Sequence, residues 1–259
     1  MKTLFIGDTH GRDTWKKIIE AESDADKIIF LGDYFDSFDV PGVAQLHNFN
    51  EIVEFKKNSD KNSDKNSNKN SDKEIVLLFG NHDFQYMPGF TDTPYSGYQP
   101  GMAWQFRDAI QQNLEHLQMT HLHNNVLCSH AGISVEWVEK HFSNTVINDL
   151  ESVSMLVDSI NDHFKFKPNI FNFNGWDPYG NNTYQTPIWI RPDSLFKANK
   201  GSQLRELVVQ IVGHTQVSNI FDSFKASDKA FGNKYFLIDA IASKGYLVLE
   251  DDVFTPKVI

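Results

Sequence analysis

Residues 30–37 of the chain, Phe-Leu-Gly-Asp-Tyr-Phe-Asp-Ser, decide how the rest of the sequence is interpreted. They end an apolar run, residues 28–31, with a glycine and two carboxylates. An apolar run that stops in this way is typical of a strand covered on both faces. Open α/β sheets build their sites at the carboxyl ends of such strands. The stretch therefore predicts a buried strand that brings Asp33 and Asp36 to one edge of a sheet.

Four further segments repeat this pattern of an apolar strand, a glycine or serine, and a polar side chain able to bind a metal ion. The side chains they supply are Asp8, His10, Asn81, His82, His130 and His214. Carboxylate, amide and imidazole ligands without a thiolate suit Mn²⁺, iron or Zn²⁺. Because five strands deliver such side chains toward one edge, the sequence predicts a metal site there.

Length and composition narrow the class of protein. A chain of 259 residues can bury a large core, and we expect a single domain over residues 1–259. The formal net charge of −10 disfavours nucleic acid and anionic membranes as partners. The single Cys128 excludes an internal disulfide and favours a reducing compartment. The first residues do not resemble a signal peptide, and no apolar run is long enough to span a membrane. We therefore expect a cytoplasmic protein.

The order strand–helix–strand–helix at the start predicts an α/β sheet with parallel pairs. Helices are predicted over residues 14–21, 43–55, 103–114 and 133–141, and over the apolar face from Val146 to Phe164. Strands are predicted over residues 3–6, 28–31, 75–79, 126–129, 209–213, 235–238 and 246–249. We expect the last two strands to pair with each other in antiparallel fashion.

Three segments stand out from these elements. Residues 57–73 are four copies of Lys-Asn-Ser-Asp, one degenerate, plus a lysine. With no apolar residue they cannot bury surface, so we expect a removable, solvated low-complexity insert between a helix end and a strand. Residues 84–125 and 168–192 are long and aromatic, and we expect them to cover the substrate. Their Tyr98, Trp176 and Trp189 either stack on a base or pack the covering segments.

Two divalent ions held close together need one bridging carboxylate and further oxygen and nitrogen ligands. The sequence offers Asp8 and His10 for the first ion, Asp33 as the bridge, and Asn81, His130 and His214 for the second. Two such ions lower the pKa of a water between them and bind phosphate oxygens. His82 is placed to protonate the leaving group as a general acid. Asp36 can accept a hydrogen bond from its other ring nitrogen and fix its tautomer.

These blocks resemble those of the calcineurin-like metallophosphoesterase superfamily. The blocks are residues 7–11, 32–36, 80–83, 130–132 and 213–216. The resemblance implies a four-layer αββα sandwich of two mixed β-sheets flanked by helices, with a dimetal site at the sheet edge. It also implies hydrolysis of a phosphoester by metal-activated water. Carried over by position, it assigns the same six ligands, with Asp33 shared between the ions, and the same acid pair of His82 and Asp36.

Within the superfamily, the sequence is more similar to the serine/threonine phosphoprotein phosphatases and symmetrical diadenosine tetraphosphatases. The nuclease and phosphodiesterase branches carry a second metal-binding histidine where this chain has Gln216. The related phosphatases follow the second aspartate with an arginine that binds phosphate, but here Ser37 follows Asp36. Of the four arginines, Arg191 is the first candidate for this role and Arg12 the second.

We therefore predict a metal-dependent phosphatase that uses two divalent ions, with Mn²⁺ as the first choice and iron or Zn²⁺ as alternatives. Its substrate would be a phosphomonoester, on a protein or a small molecule. A nucleotide hydrolase of the diadenosine tetraphosphatase type is the enzymatic alternative. A catalytically inactive scaffold with the same fold is a third hypothesis, which predicts eroded ligands, and none of the six is eroded.

Overall fold

The computed structural model describes residues 1–63, 73–87, 96–173, 177 and 179–259. Two mixed sheets form its centre. The first has the strand order β10-β9-β1-β2-β3-β4, and the second has the order β5-β6-β7-β8. The strands are β1 (Lys2–Ile6), β2 (Lys27–Phe30), β3 (Glu74–Leu78), β4 (Leu117–Gln118), β5 (Thr120–His123), β6 (Val126–Ser129), β7 (Val209–Gln216), β8 (Tyr235–Asp239), β9 (Gly245–Glu250) and β10 (Val253–Val258).

Helices flank both sheets. They are α1 (Thr14–Ala21), α2 (Gly42–Ser63), α3 (Asn81–Phe84), α4 (Ala103–Asn113), α5 (Val135–His141), α6 (Leu150–Phe166), α7 (Pro192–Asn199), α8 (Gln203–Leu207) and α9 (Ile220–Phe231), with short 3₁₀ turns at Leu114–His116, Pro168–Phe171 and Ile241–Ser243. In the described part of the chain, no helix combines the length and apolar character needed to cross a bilayer.

The alternation of side chains along each strand builds the layers, since successive residues face opposite sides of a sheet. One set of strand residues forms the core between the two sheets: Phe5, Ile29, Val76, Cys128, Ile211 and Phe236. Their neighbours Leu4, Ile28 and Ile75 belong to a second core with Trp15 of α1 and Phe49 of α2. The predicted αββα sandwich is therefore confirmed.

Parallel pairing of β1, β2 and β3 sends their carboxyl ends to one edge of the first sheet. In the second sheet, β6, β7 and β8 are parallel in the same way. The prediction that residues 235–238 and 246–249 pair with each other is wrong. Strand β8 pairs with β7, whereas β9 pairs with β1 and β10 in the other sheet. Strand β8 thus forms an edge of the second sheet, whereas β9 lies inside the first sheet, between β10 and β1.

The repeat segment begins inside a helix, which corrects the prediction that all of residues 57–73 lie outside regular structure. Helix α2 continues to Ser63. The ammonium of Lys57 donates to Asn113 Oδ1 at 2.8 Å, and the buried Ser59 hydroxyl donates to the carbonyl of Lys73. Lys73 itself donates to the carbonyls of Ser23 and Ala25. Residues 64–72 lie outside the described residues, so the remainder of that prediction stays a prediction.

The first long segment, residues 84–125, is more structured than expected. It contains α4, β4 and β5, and the two short strands extend one sheet each. The second, residues 168–192, inserts Ile188, Trp189 and Ile190 into the core. The described residues of both long segments therefore contribute to the sheets and the core, and the prediction that the segments cover the substrate stays a prediction.

The helix predicted from Val146 is shorter than expected, because α6 begins at Leu150 and Val146 remains 74% exposed.

Candidate metal centre and active site

Backbone contacts hold the strand ends of the two sheets together. The amide of His214, at the end of β7, donates to Asp8 Oδ2 at 2.9 Å, which joins the second sheet to the first. The amide of His10 donates to the carbonyl of Asp33 at 2.8 Å. The amide of His82 donates to Asp33 Oδ1 at 2.8 Å. Residues from three separate strand ends therefore converge on Asp33 and Asp8.

Four of the candidate residues adopt left-handed backbone conformations. The φ angles are +44° at His10, +52° at Asp33, +64° at Asp36 and +61° at His214. Each such conformation costs a residue with a Cβ about 1–2 kcal/mol. Strain of this kind persists where the surrounding structure over-determines it, and it clusters at functional sites. The turns after β1 and β2 and the irregular end of β7 are thus held in unfavourable conformations that bring their side chains together.

Two glycines allow the carboxylates to approach the backbone. A Cβ at Gly80 would collide with Asp33 Oδ1, and a Cβ at Gly213 would collide with Asp8 Oδ1. Asp83 braces the same region, since its carboxylate accepts the amides of Asp33, Tyr34 and Gly80 at 2.7–2.9 Å. Burial, together with the charge of Asp33, raises the pKa of Asp83 to about 7. Asp83 therefore connects the turn after β2 to the turn after β3.

The three residues predicted for the first ion line one end of the site. Asp8 is buried, and its Oδ1 has no hydrogen-bond partner among the described residues. Burial and the neighbouring Asp239 and Asp33 raise the pKa of Asp8. His10 Nδ1 lies 2.6 Å from the carbonyl of Phe35, so Nδ1 carries the proton and Nε2 faces Asp33 Oδ2 at 3.9 Å. An unpartnered buried carboxylate oxygen beside an imidazole lone pair fits a cation ligand set.

The imidazoles of His130 and His214 are likewise oriented by backbone carbonyls. His130 Nδ1 lies 2.8 Å from the carbonyl oxygen of Leu31, and His214 Nε2 lies 3.1 Å from that of Trp189. Because a carbonyl oxygen only accepts, these two ring nitrogens carry protons. The opposite ring nitrogens, His130 Nε2 and His214 Nδ1, both face Asn81 Oδ1, at 3.0 and 2.9 Å.

The site therefore contains a cluster of acceptor atoms that face one another. Asp33 Oδ2 adds a carboxylate oxygen 3.3 Å from His130 Nε2. Facing lone pairs repel unless a proton or a metal cation lies between them. Burial opposes a charge on His130, but the charge of Asp33 outweighs it and raises the pKa of His130. Burial and the nearby His130 lower the pKa of His214, which stays neutral. One proton on His130 relieves part of the repulsion, and a divalent ion would relieve all of it.

His82 and Asp36 lie beside this cluster. His82 Nδ1 is 3.0 Å from Asp36 Oδ2, and the rings of His82 and His10 meet edge to face with centroids 5.3 Å apart. Burial disfavours a charged His82, but the charge of Asp33 and the hydrogen bond to Asp36 prevail and raise the pKa of His82. Burial also disfavours a charge on Asp33, yet His130 and His82 lower the pKa of that carboxyl. A protonated His82 beside an ionised Asp33 is thus the favoured state.

A cleft of about 410 Å³ opens onto these residues. Arg191 lines it and is fixed to the backbone, donating from Nε to the carbonyl of Tyr179 and from Nη1 to the carbonyl of His214, both at 3.1 Å. Arg12 also lines the cleft, but its Nη2 donates to Asp39 Oδ1 at 2.6 Å. Ser37, which follows Asp36, donates to the same Asp39 oxygen at 2.6 Å. The two predicted arginines therefore border one cleft, and an acidic side chain partly neutralises Arg12.

Two of the three aromatic candidates pack within the protein. Trp189 is 5% exposed and packs edge to face against the ring of His214, with centroids 5.8 Å apart. The ring of Tyr98 stacks on Tyr86 at 5.1 Å. Packing is therefore the observed role of both. Trp176 lies outside the described residues. Phe38 lines the cleft with 84% of its surface exposed and was not singled out from the sequence.

One buried carboxylate that lines the cleft was missed. Asp239, at the end of β8, lines the cleft and pairs in register with Gln216. Burial and the charge of Asp33 raise its pKa to about 7. The signal was present, because the apolar strand of residues 235–238 runs directly into this aspartate. Neither a glycine nor a serine intervenes, however, as one does in each of the other segments. Asp8, Asp33 and Asp239 together concentrate negative charge that a bound cation would relieve.

Comparison with known proteins agrees with this geometry. The chain matches the family model of the calcineurin-like phosphoesterases over residues 1–218. It therefore belongs to the calcineurin-like phosphoesterase family and is a metal-dependent phosphoric ester hydrolase. Members of this family use a dimetal centre, and Asp8, Asp33 and His130 offer ligand atoms within 4.8 Å of one another. No curated protein matches its sequence.

Two solved structures share the fold. Both are of a cold-active protein tyrosine phosphatase, and one is a point mutant. They are 20% and 19% identical to this chain, with TM-scores of 0.61 and 0.62. Each comparison covers 99% of this chain, and 77% and 76% of the other chain. At this level of identity the likeness establishes a common fold.

Proposed function

We propose that the protein is a dimetal-dependent phosphatase acting on a phosphomonoester of a protein or a small molecule. The observation that carries this proposal is the cluster of facing acceptors at Asp33, Asn81, His130 and His214, which adjoins the His82–Asp36 pair and an open cleft. Asp8, His10 and Asp33 would hold the first ion, and Asp33, Asn81, His130 and His214 the second. Mn²⁺ is the first metal to test, with iron and Zn²⁺ as alternatives.

When bound, the two ions would stabilise charge on the phosphoryl oxygens and supply an activated water. The chain then has to deliver one proton. As the bond between phosphorus and the leaving oxygen breaks, His82 would give its Nε2 proton to that oxygen. The attacking water would bond to phosphorus and release one proton, and His82 would take up one proton from solvent before the next turnover. Asp36 holds Nδ1 and stabilises the charged ring until the proton is lost. The 3.0 Å contact between His82 Nδ1 and Asp36 Oδ2 supports this role.

Arg191 is the proposed phosphate-binding residue. Two of its nitrogens are held by hydrogen bonds within the chain, and in the described residues none accepts from Nη2. A guanidinium fixed in this way loses little side-chain entropy when it binds a phosphate oxygen. Arg12 would contribute less, because Asp39 already occupies one side of its guanidinium. A terminal phosphate with two negative charges suits a site that combines cations with one arginine, which favours a monoester.

A nucleotide hydrolase of the diadenosine tetraphosphatase type is the second candidate. The exposed Phe38 on the cleft wall favours it, since an aromatic face can stack on a base. The inactive scaffold is disfavoured, because the ligand atoms converge instead of being lost. The structural neighbours are described as protein tyrosine phosphatases, which makes a phosphotyrosine peptide the first protein substrate to test.

A substrate panel tests the proposal. Purified protein with Mn²⁺ is assayed on p-nitrophenyl phosphate, its bis-ester, a phosphotyrosine peptide and diadenosine tetraphosphate. We expect metal-dependent release of phosphate from the monoesters. Exclusive cleavage of the bis-ester would overturn the monoesterase assignment, preference for the dinucleotide would favour the second candidate, and no turnover with any of the three metals would favour the scaffold.

Two variants test the assigned roles. His82→Asn should lower kcat about 100-fold or more while Mn²⁺ affinity changes little, because the ring donates a proton without serving as a ligand. Arg191→Ala should lower kcat/KM about 10- to 100-fold, the usual loss for a hydrogen bond to a charged group. Arg205→Ala is the matched control, since Arg205 lies over the ring of Phe196 and does not line the cleft. Equal effects of the two arginine substitutions would remove Arg191 from the site.

A further inference from the structure

The carboxylate of Asp36 has more partners than the single histidine assigned to it. Its Oδ2 is shared by His82 Nδ1, at 3.0 Å, and by the side-chain amide of Gln85. Its Oδ1 accepts a hydrogen bond from the hydroxyl of Tyr86. Asp36, Gln85 and Tyr86 are each no more than 1% exposed. Both carboxylate oxygens are therefore held inside the protein by side chains that the sequence motifs do not include.

The three donors come from one turn of chain. His82 lies in α3, and the chain continues as a helical turn. In this turn the backbone N–H of Gln85 donates to the carbonyl of Asn81. Residues three and four positions apart on a helical turn share a face. His82, Gln85 and Tyr86 therefore point to the same side, toward Asp36. The sequence that supplies the candidate acid also supplies the groups that fix its partner.

Tyr86 also joins this unit to a covering segment, residues 96–102. Its hydroxyl accepts the amide of Gln99 at 2.9 Å, while its ring lies between Tyr98 and Phe106, both with centroids at 5.1 Å. Burial and the nearby Asp36 raise the pKa of the Tyr86 hydroxyl, which keeps its proton as a donor. A Cβ at Gly97, whose φ is +83°, would lie 3.1 Å from Asp36 Cβ. The covering segment thus rests directly on the acid pair.

We propose that Gln85 and Tyr86 are positioning residues for the general acid, and that Tyr86 couples the acid to the covering segment. They fix the orientation of the Asp36 carboxylate, which in turn fixes the ring of His82 relative to the leaving oxygen. Loss of the Tyr86 hydroxyl leaves a buried carboxylate oxygen without its donor, so the carboxylate rotates and the ring follows. This inference rests on the proposed function, because it requires His82 to protonate the leaving group.

The test compares two monoesters that differ in their need for an acid. A p-nitrophenolate leaving group departs readily without protonation, whereas the phenolate of phenyl phosphate is more basic and depends on it. Tyr86→Phe should lower kcat/KM for phenyl phosphate about tenfold more than for p-nitrophenyl phosphate. Gln85→Met, which keeps the volume and drops the donor, should shift the ratio in the same direction. Tyr98→Phe is the matched control and should leave the ratio unchanged.

A double-mutant cycle separates positioning from general stability. In the His82→Asn background, Tyr86→Phe should have no further effect on the ratio, because the residue acts through the ring that is gone. Equal slowing of both esters, or an undiminished effect in that background, would overturn the inference while the proposed function stood. If the wild-type enzyme hydrolyses neither ester with any metal, the proposed function fails and this inference fails with it.

Discussion

The turns that end the strands and the segments that cover them are built in different ways. At the strand ends, backbone amides bind carboxylates directly, as between His214 and Asp8 or between His82 and Asp33. Glycines at positions 80 and 213 allow no side chain in their place. The two long segments, residues 84–125 and 168–192, instead contact the site through side chains such as Tyr86 and Arg191. Side chains can be exchanged without changing the backbone, so we propose that the strand ends set the chemistry and that the two long segments select the substrate.

If the strand ends set the chemistry, the largest effect should come from the shared carboxylate. Asp33→Asn should lower turnover about 1000-fold or more, since both candidate ions lose one charged ligand. Bound Mn²⁺, measured by elemental analysis, should fall below two ions per chain. Asp39→Asn is the control. The side chain of Asp39 is 67% exposed, and its contact with Arg12 lies at the rim of the cleft. Two bound Mn²⁺ ions per chain in the Asp33 variant would contradict the claim that the strand ends set the chemistry.

The next largest effect is expected when a methyl group is added to a glycine. Its cost in stability should be greater at a strand end than in the covering segment. Gly80→Ala should lower the free energy of unfolding by about 1–3 kcal/mol and weaken Mn²⁺ binding, because the new Cβ meets the Asp33 carboxylate. Gly101→Ala, in the covering segment, has nothing within 4 Å of its Cβ and should change stability by no more than about 0.5 kcal/mol. Chemical denaturation of both variants checks this, and equal losses would show that the strand ends are no more constrained.

Metal affinity should depend on pH because a proton and a metal cation compete for the same ring nitrogen of His130. The pKa of His130 is raised, so the proton is retained at higher pH than in a free histidine and must leave before the imidazole binds metal. Mn²⁺ affinity should therefore rise from pH 6 to pH 8, by up to about tenfold per pH unit for each proton released. Calorimetry in two buffers of different ionisation enthalpy counts the protons. An affinity independent of pH would remove His130 as a ligand.

The smallest effect is expected at the repeat. Replacing residues 64–72 with a short Gly-Ser linker should change the free energy of unfolding by less than about 1 kcal/mol and leave kcat unchanged. A longer replacement that begins at residue 57 should destabilise the protein more, because it removes the bonds of Lys57 and Ser59. Equal stability of the two variants would restore the original prediction that the whole segment of residues 57–73 is removable.

Much of the fold could be predicted because its signals are local. Helix α1 was predicted with both bounds, and each apolar run before a ligand-type residue became a strand. The partners of β8 and β9 could not be predicted. The two strands have similar local sequences, and they differ in which other strand lies beside them in the fold. Helix α2 extended into a repeat with no apolar residue because distant groups, Asn113 and Lys73, anchor it.

The candidate site shows the same limit. Residues that follow a glycine or serine at the end of a strand were found from the pattern, and they converge. Asp239 was missed because its strand lacks the glycine, and Gln85 and Tyr86 because nothing in a one-dimensional pattern indicates that both would face Asp36. Each of these contacts depends on how two separate segments pack. Sequence therefore predicted the strand ends better than the groups that hold them in place.

The most direct measurement is anomalous diffraction at the manganese absorption edge from crystals soaked in Mn²⁺. We predict two peaks that share the Asp33 carboxylate, one against Asp8 and His10 and the other against Asn81, His130 and His214. A single peak, or peaks away from Asp33, would contradict the dimetal centre on which the proposed chemistry depends.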